Sequence, residues 1–217
     1  MNSSARSTRE KAPLDRQLEA GLDTLNLSMD CSQTEKLLQF IVLIEKWNRV
    51  HNLTAIRDVE KMLSHHILDS LAILPYLSSK RILDVGSGAG LPGIPLAIAR
   101  PALDVTLIDS NSKKAAFHQQ ALTDLRLNNG HSVCARVEEW NADPFDTIVS
   151  RAYSELRTFI LSSQHLLAAT GVLAAMKGAY PADEIAAIPD PFQVLHAHRI
   201  VVPGLYAERH LILIART

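Results

Sequence analysis

Cysteine is nearly absent: Cys31 and Cys134 are the two in 217 residues, and no C-x-x-C pair exists. That excludes a disulfide framework and a thiolate metal site, and it fits a reducing compartment. No apolar run approaches the roughly 18 residues that signal a membrane span, so none is expected. The opening residues MNSSARSTREKAP hold no apolar stretch and do not read as a secretory signal. A strong charge of one sign is missing too. The net charge is −1 and the pI is near 6.8, well short of the basic balance of a dedicated nucleic-acid module. Any nucleic-acid footprint must therefore be local. Internal repeats and low-complexity tracts are absent. What remains is ordinary globular composition, 47% hydrophobic and 21% charged, over a length that suits one catalytic domain with an addition.

The most informative segment is RILDVGSGAGLPG at 81–93, followed by VTLID ending at Asp109. The apolar run 82–85 reads as a buried strand that empties into Gly86, Gly88 and Gly90, where missing side chains let a ligand touch backbone. Pro92 and Pro95 fall where a helix over 93–100 begins, and Pro101 where it stops. Asp109 closes the next strand, placed to accept hydrogen bonds from ribose hydroxyls, or else to cap the strand end. The dinucleotide pattern G-x-G-x-x-G is not met, because Leu91 stands where its third glycine belongs. Asp84, just upstream, would repel a pyrophosphate and favour a cationic amino or sulfonium group, which points to S-adenosylmethionine. The competing reading makes Asp84 a brace for the loop's own N–H groups.

Along the chain, residues 1–12 read as a flexible arm, 13–78 as a helical segment and 79–217 as the α/β domain. Ser32 with Glu35 suggests a capping box for the helix carrying Leu37, Ile41, Ile44 and Trp47, and Asp58 a cap for the next. Strands are expected at 82–85, 104–109, 132–136, 145–150 and 172–176, with helices at 93–100, 112–127 and 154–168, the last ended by Gly171. The apolar runs 192–202 and 208–215 are joined too tightly for a crossover helix and should pair antiparallel. A mostly parallel sheet finishing in an antiparallel hairpin, preceded by a helical extension, resembles the class I S-adenosylmethionine-dependent methyltransferase (Rossmann-like) fold.

Six motifs in order carry a closer resemblance: WNRVHNLTAIRD (47–58), HHILDSL (65–71), ILDVGSGAGLPGIPLAI (82–98), LIDSNSKKAAF (107–117), RVEEW (136–140) and SRA (150–152). Together they resemble the RsmG family, also called glucose-inhibited division protein B, whose members methylate N7 of one guanosine in bacterial 16S ribosomal RNA. The resemblance implies S-adenosylmethionine as cofactor. It places Gly86, Leu91, Val137, Glu138 and Arg151 at the cofactor, Asp109 at its ribose, and Arg151 in catalysis. The implied partner is 16S rRNA within the small ribosomal subunit or an assembly intermediate, with a cytoplasmic location; a monomer is expected. Ala89 stands where family members often carry proline.

Residue chemistry supports these positions beside the resemblance. Ligands of open α/β sheets lie outside the carboxyl ends of the strands, where Asp109, Val137, Glu138 and Arg151 fall. Glu138 can accept from an adenine amino group while Val137 offers an apolar face; a plain surface charge is the alternative. Arg151 would grip the cofactor carboxylate or an RNA phosphate, or form a structural salt bridge. Guanine N7 needs no general base, so catalysis would come from alignment, with the base flipped or unpaired and recognised through O6 alone. Phe117, Trp140 or Tyr153 could stack on it. His65, His66 and Asp69 are too few for a metal, and none is expected. His66 is expected to pack inward while His65 pairs with Asp69, and Asn48 and Asn52 to brace an interhelical bend. Arg57, Lys113, Lys114 and Arg136, with Arg49, Lys61 and the arm's Arg6, Arg9 and Lys11, are candidate RNA contacts flanking one cleft. The alternatives are a small-molecule or protein methyltransferase and an NAD-dependent oxidoreductase.

Overall fold

The computed structural model describes the backbone of residues 4–217 and the side chains from residue 13 onward. Helix α1 (Ser4–Thr24) opens inside the segment expected to be an arm. Residues 1–3, and the side chains of Arg6, Arg9 and Lys11, lie outside the described residues. Helix α2 (Cys31–His51) is capped by Asp30, whose side chain accepts from the Gln33 N–H at 2.8 Å while Gln33 reaches back to the Asp30 N–H at 2.9 Å. The capping box thus sits two residues before the expected Ser32–Glu35 pair. Gln33 settles the choice by also donating to the carbonyls of Ile98 and Ala99, at 3.1 and 2.9 Å, two of the groups a helix end leaves open.

Asp58 caps α3 (Val59–Met62) as expected, accepting from the N–H groups of Glu60 and Lys61. The chain then widens into a π-helical turn (Leu63–Leu68) before α4 (Asp69–Leu71). Asn48 braces the preceding bend, donating to the Ile56 carbonyl and accepting from the Thr54 N–H, and Asn52 ends α2 in the left-handed region at φ 48°.

The α/β part runs β1 (Arg81–Val85), α5 (Gly93–Ala99), β2 (Asp104–Asp109), α6 (Ser112–Asp124), β3 (Gly130–Cys134), β4 (Phe145–Arg151), α7 (Leu156–Ser163), β5 (Leu167–Lys177), α8 (Ala182–Ala186), β6 (Phe192–Arg199) and β7 (His210–Arg216). The strands form one seven-stranded sheet in the order β3-β2-β1-β4-β5-β7-β6. Pairing is parallel except where β7 meets β5 and β6, so the antiparallel finish is as expected. Gly171 does not end a helix: it lies inside β5, in a bulge where Leu167 pairs with Phe145 and the next partner of β4 is Val172.

Side chains alternate between the two faces. Leu211 and Leu213 of β7 join the core beneath α1, α2, the π turn, α5 and α6, while Ile212 and Ile214 join the opposite core beneath α7. The helices of segment 13–78 therefore share one core with the sheet. Strand order reverses between β1 and β4, the point in such sheets where a crevice opens beyond the strand ends.

Candidate active site

Two adjoining cavities lie at that reversal. The first, about 300 Å³, is lined by Gly86 after β1, Asp109 at the end of β2, Arg136, Val137 and Glu138 after β3, and Tyr153 after β4. The second, about 490 Å³, is lined by Gly88, Leu91, Arg151, Asp69 and Arg209. Gly86, Lys114 and Ala152 belong to both and form the wall between them. A larger hollow of about 870 Å³ lies between α1, the Asp58–Leu68 region and the 203–207 loop, away from the strand ends of the glycine loop.

The glycine loop is held at both ends of one peptide pair. The Gly88 N–H donates to Asp109 Oδ2 at 3.0 Å, and the Gly88 carbonyl accepts from His118 Nε2 at 2.8 Å. His118 therefore carries its proton on Nε2. It is fully buried, and burial lowers its pKa, so the ring stays neutral with Nδ1 lacking a partner. Asp109 Oδ1 accepts from the Asn111 N–H at 2.9 Å, and Lys114 stands 3.6 Å from Oδ2. A carboxylate offers about four acceptor sites, so Asp109 is oriented by these bonds and still able to accept from the cavity.

Gly86, at φ +68°, has its missing Cβ 2.7 Å from Tyr153 Cδ2, so a side chain would fill the space the aromatic ring covers. Tyr153 donates to Glu138 Oε1 at 3.3 Å. Desolvation first, then the Glu138 carboxylate, raises its pKa and keeps it a donor.

Asp84 is the clearest departure from expectation. Its side chain is fully buried and lines neither cavity; Oδ2 accepts from the Gly93 N–H at 2.8 Å, tying β1 to the start of α5. Burial raises its pKa to about 7, against the bond from Gly93, and Oδ1 has no partner. It is a brace, and the attraction to a cationic cofactor argued from it does not stand. Gly90, at φ +75°, also lines neither cavity and packs near Ile94 and Phe40.

The expected His65–Asp69 pair is absent as well. His65 Nδ1 meets the Ser64 hydroxyl, while Asp69 holds Arg151 and Arg209. His66 does pack inward, with Nε2 2.9 Å from the Thr54 hydroxyl; burial first, and the nearby Arg151 charge second, lower its pKa to about 4. Of the candidate stacking aromatics, Phe117 is core against Phe40 and Trp47, and Trp140 packs on Phe145, which leaves Tyr153 at the cavity.

The RNA candidates are not gathered into one cleft. Lys114 and Arg136 line the cavities, but Arg49 and Arg57 line a separate hollow with Glu45, and Lys61 another. Lys113 is exposed and lines neither cavity. Missed from sequence were His118, visible only as a polar position on the buried face of α6, and Arg209, which no local pattern marks. Among the described residues, no group of three metal-ligating side chains exists and no helix is long and apolar enough to cross a membrane.

This sheet order, with a glycine loop and an acid at the ends of neighbouring parallel strands, is the class I S-adenosylmethionine-dependent methyltransferase fold. The fold is similar to that of a SAM-dependent methyltransferase from Aquifex aeolicus, with a TM-score of 0.55, 17% identity, and coverage of 70% of this chain and 92% of the other. The model of the family described as rRNA small subunit methyltransferase G (GidB) matches residues 33–212, and the chain belongs to that family. Curated relatives named ribosomal RNA small subunit methyltransferase G include that of Laribacter hongkongensis, 49% identical over 92% of this chain and 97% of its own. Another, from Nitrosospira multiformis, is 49% identical over 92% and 96%.

Proposed function

We propose that the chain transfers a methyl group from S-adenosylmethionine to N7 of one guanosine in bacterial 16S rRNA. The observation that carries this reading is the pair of cavities divided by Gly86 and Ala152, one suited to a nucleoside cofactor and the other rich in arginine. Family membership removes the support for a nicotinamide oxidoreductase or a small-molecule methyltransferase. When bound, S-adenosylmethionine supplies an electrophilic methyl group on a cationic sulfur. The chain's part is to hold and orient. Asp109 would accept from the ribose hydroxyls, Glu138 from the adenine amino group, and Val137 would cover the ring face, with the Gly86 backbone close against the ligand.

The second cavity fits an acceptor that gives up no proton. Its one lining carboxylate among the described residues, Asp69, is occupied by two arginines and is no free base. Guanine N7 presents a lone pair and needs none. The RNA would be met within the small subunit or an assembly intermediate, by a monomeric chain in the cytoplasm. Mapping N7-methylguanosine by reduction and strand scission, in rRNA from cells with and without this chain, tests the reading. One scission site should vanish without the chain, and an unchanged pattern would refute the assignment.

A further inference from the structure

Asp69 follows directly on the π-helical turn Leu63–Leu68. In an α-helix its amide would bond the His65 carbonyl; here it turns to the carbonyls of Ser64 and His66. The His65 carbonyl is thereby released to accept Arg151 Nη1 at 2.9 Å. The same Nη1 donates to Asp69 Oδ2 at 3.2 Å, and Asp69 Oδ1 accepts from Arg209 Nε at 2.8 Å. One carboxylate with 3% of its side chain exposed thus joins two guanidinium groups, from the end of β4 and the entry to β7.

Both arginines line the second cavity, and the Nη2 group of each has no partner among the described residues. Two positive charges against one negative leave the pair oriented but not neutralised. That arrangement leaves two charged Nη2 donors, one from each arginine, for an anion entering the cavity. Arg209 lies outside the walls of the first cavity, so the anion it meets belongs to whatever enters the second.

We propose that Arg209, paired with Arg151, binds a backbone phosphate of the RNA beside the target nucleotide, and that Asp69 is the positioning residue that aims both. The proposal rests on the rRNA methyltransferase reading above. The carboxylate of the cofactor's methionine part has the same anionic chemistry, so the experiment must separate the two sources.

Full-length wild type, Arg209→Gln, Arg209→Lys and Asp69→Asn are compared on unmethylated small ribosomal subunits. The readouts are kcat, KM for the subunits, the salt dependence of subunit binding, and the calorimetric Kd for S-adenosylmethionine. Arg209→Gln should raise KM for the subunits about tenfold and lower the salt slope by about one, with cofactor Kd within about twofold of wild type. Arg209→Lys keeps the point charge and should restore the slope but not the full affinity. Asp69→Asn releases Arg151 as well as Arg209, so it should raise KM for the subunits at least as far as Arg209→Gln, and the double variant should fall short of the sum of the two single changes, as expected of a residue that acts in part through Arg209.

Weakened cofactor binding with unchanged KM for the subunits would assign the anion to the cofactor and overturn the proposal. So would Arg209 variants that match wild type in every readout, and if Asp69→Asn does not fold, the Arg209 variants carry the test alone. A wild-type chain that methylates no subunit would instead sink the underlying reading, while its binding salt slope would still report on the phosphate contact.

Discussion

The first cavity takes its walls from the ends of four neighbouring parallel strands and the turns directly after them. The second draws Asp69 from the N-terminal helices, Arg151 from β4 and Arg209 from the entry to β7. One is a product of the sheet; the other exists only because a helical extension and a C-terminal hairpin meet over it. Of the Asp69–Arg151–Arg209 cluster that distinguishes the second cavity, Asp69 and Arg209 come from the additions and Arg151 from the sheet itself. Order in the first cavity also depends on backbone conformation, and in the second on charge.

Arg151→Ala cuts into the second cavity most directly. Methyl transfer should fall by at least about a hundredfold while the fold survives, because Asp69 keeps Arg209 as a partner. Radiolabelled transfer beside far-UV circular dichroism checks both halves, and near-normal turnover would refute the placement of Arg151. The backbone dependence of the glycine loop is probed by two of its glycines. Gly86→Ala meets the Tyr153 ring at 2.7 Å as well as an unfavourable φ, whereas Gly88→Ala faces only its φ, with the nearest atom 3.8 Å away. Cofactor affinity should drop more than about tenfold for the first and about threefold or less for the second. Equal losses in calorimetry would mean that strain alone, not the ring, governs the loop.

The brace beneath the first cavity has a pH signature. Asp84 titrates near 7 in the folded chain against 3.8 ordinarily, so between those values the folded state holds a proton that the unfolded state has released. Its contribution to stability therefore falls as pH rises through that window. His66, lowered to about 4 from 6.5, works with the opposite sign: the unfolded state binds the extra proton, and stability rises with pH across its window. Comparing wild type with Asp84→Asn cancels His66. Urea unfolding should show the variant gaining on wild type from about pH 4 to about pH 8, and a constant difference would show that Asp84 does not titrate there. Lys114→Gln should matter least to stability. The bridge to Asp109 spans 3.6 Å with the lysine side chain 37% exposed, worth less than about 1 kcal/mol. A thermal midpoint lowered by more than a few degrees would show the bridge to hold the loop.

Parts of this architecture were legible in residue order. The β1–loop–α5–β2 unit has its apolar run, glycines, prolines and terminal acid within one continuous stretch, so every term needed to infer it is local. The hairpin was legible because too few residues join β6 to β7 for any other pairing. The capping box was misplaced because two acid- or hydroxyl-led signatures overlap around Asp30, and Gln33 is selected by carbonyls of Ile98 and Ala99, far away in sequence. Gly171 resembled a helix stop for the same reason: the bulge that accommodates it is a relation between β4 and β5, not a property of either.

From the order of residues alone came the mostly parallel sheet and the glycine loop, both consequences of hydrophobic period and of where side chains are missing, while the cofactor class came from the family resemblance. The folded chain alone decided which carboxylates face a ligand. Asp84 lies near the end of β1 and Asp109 at the end of β2, yet one is sealed against Gly93 and the other opens onto the cavity. Asp69 finds its partners at residues 151 and 209. Burial and long-range pairing set the charge and direction of such groups, and neither is written in the neighbouring residues.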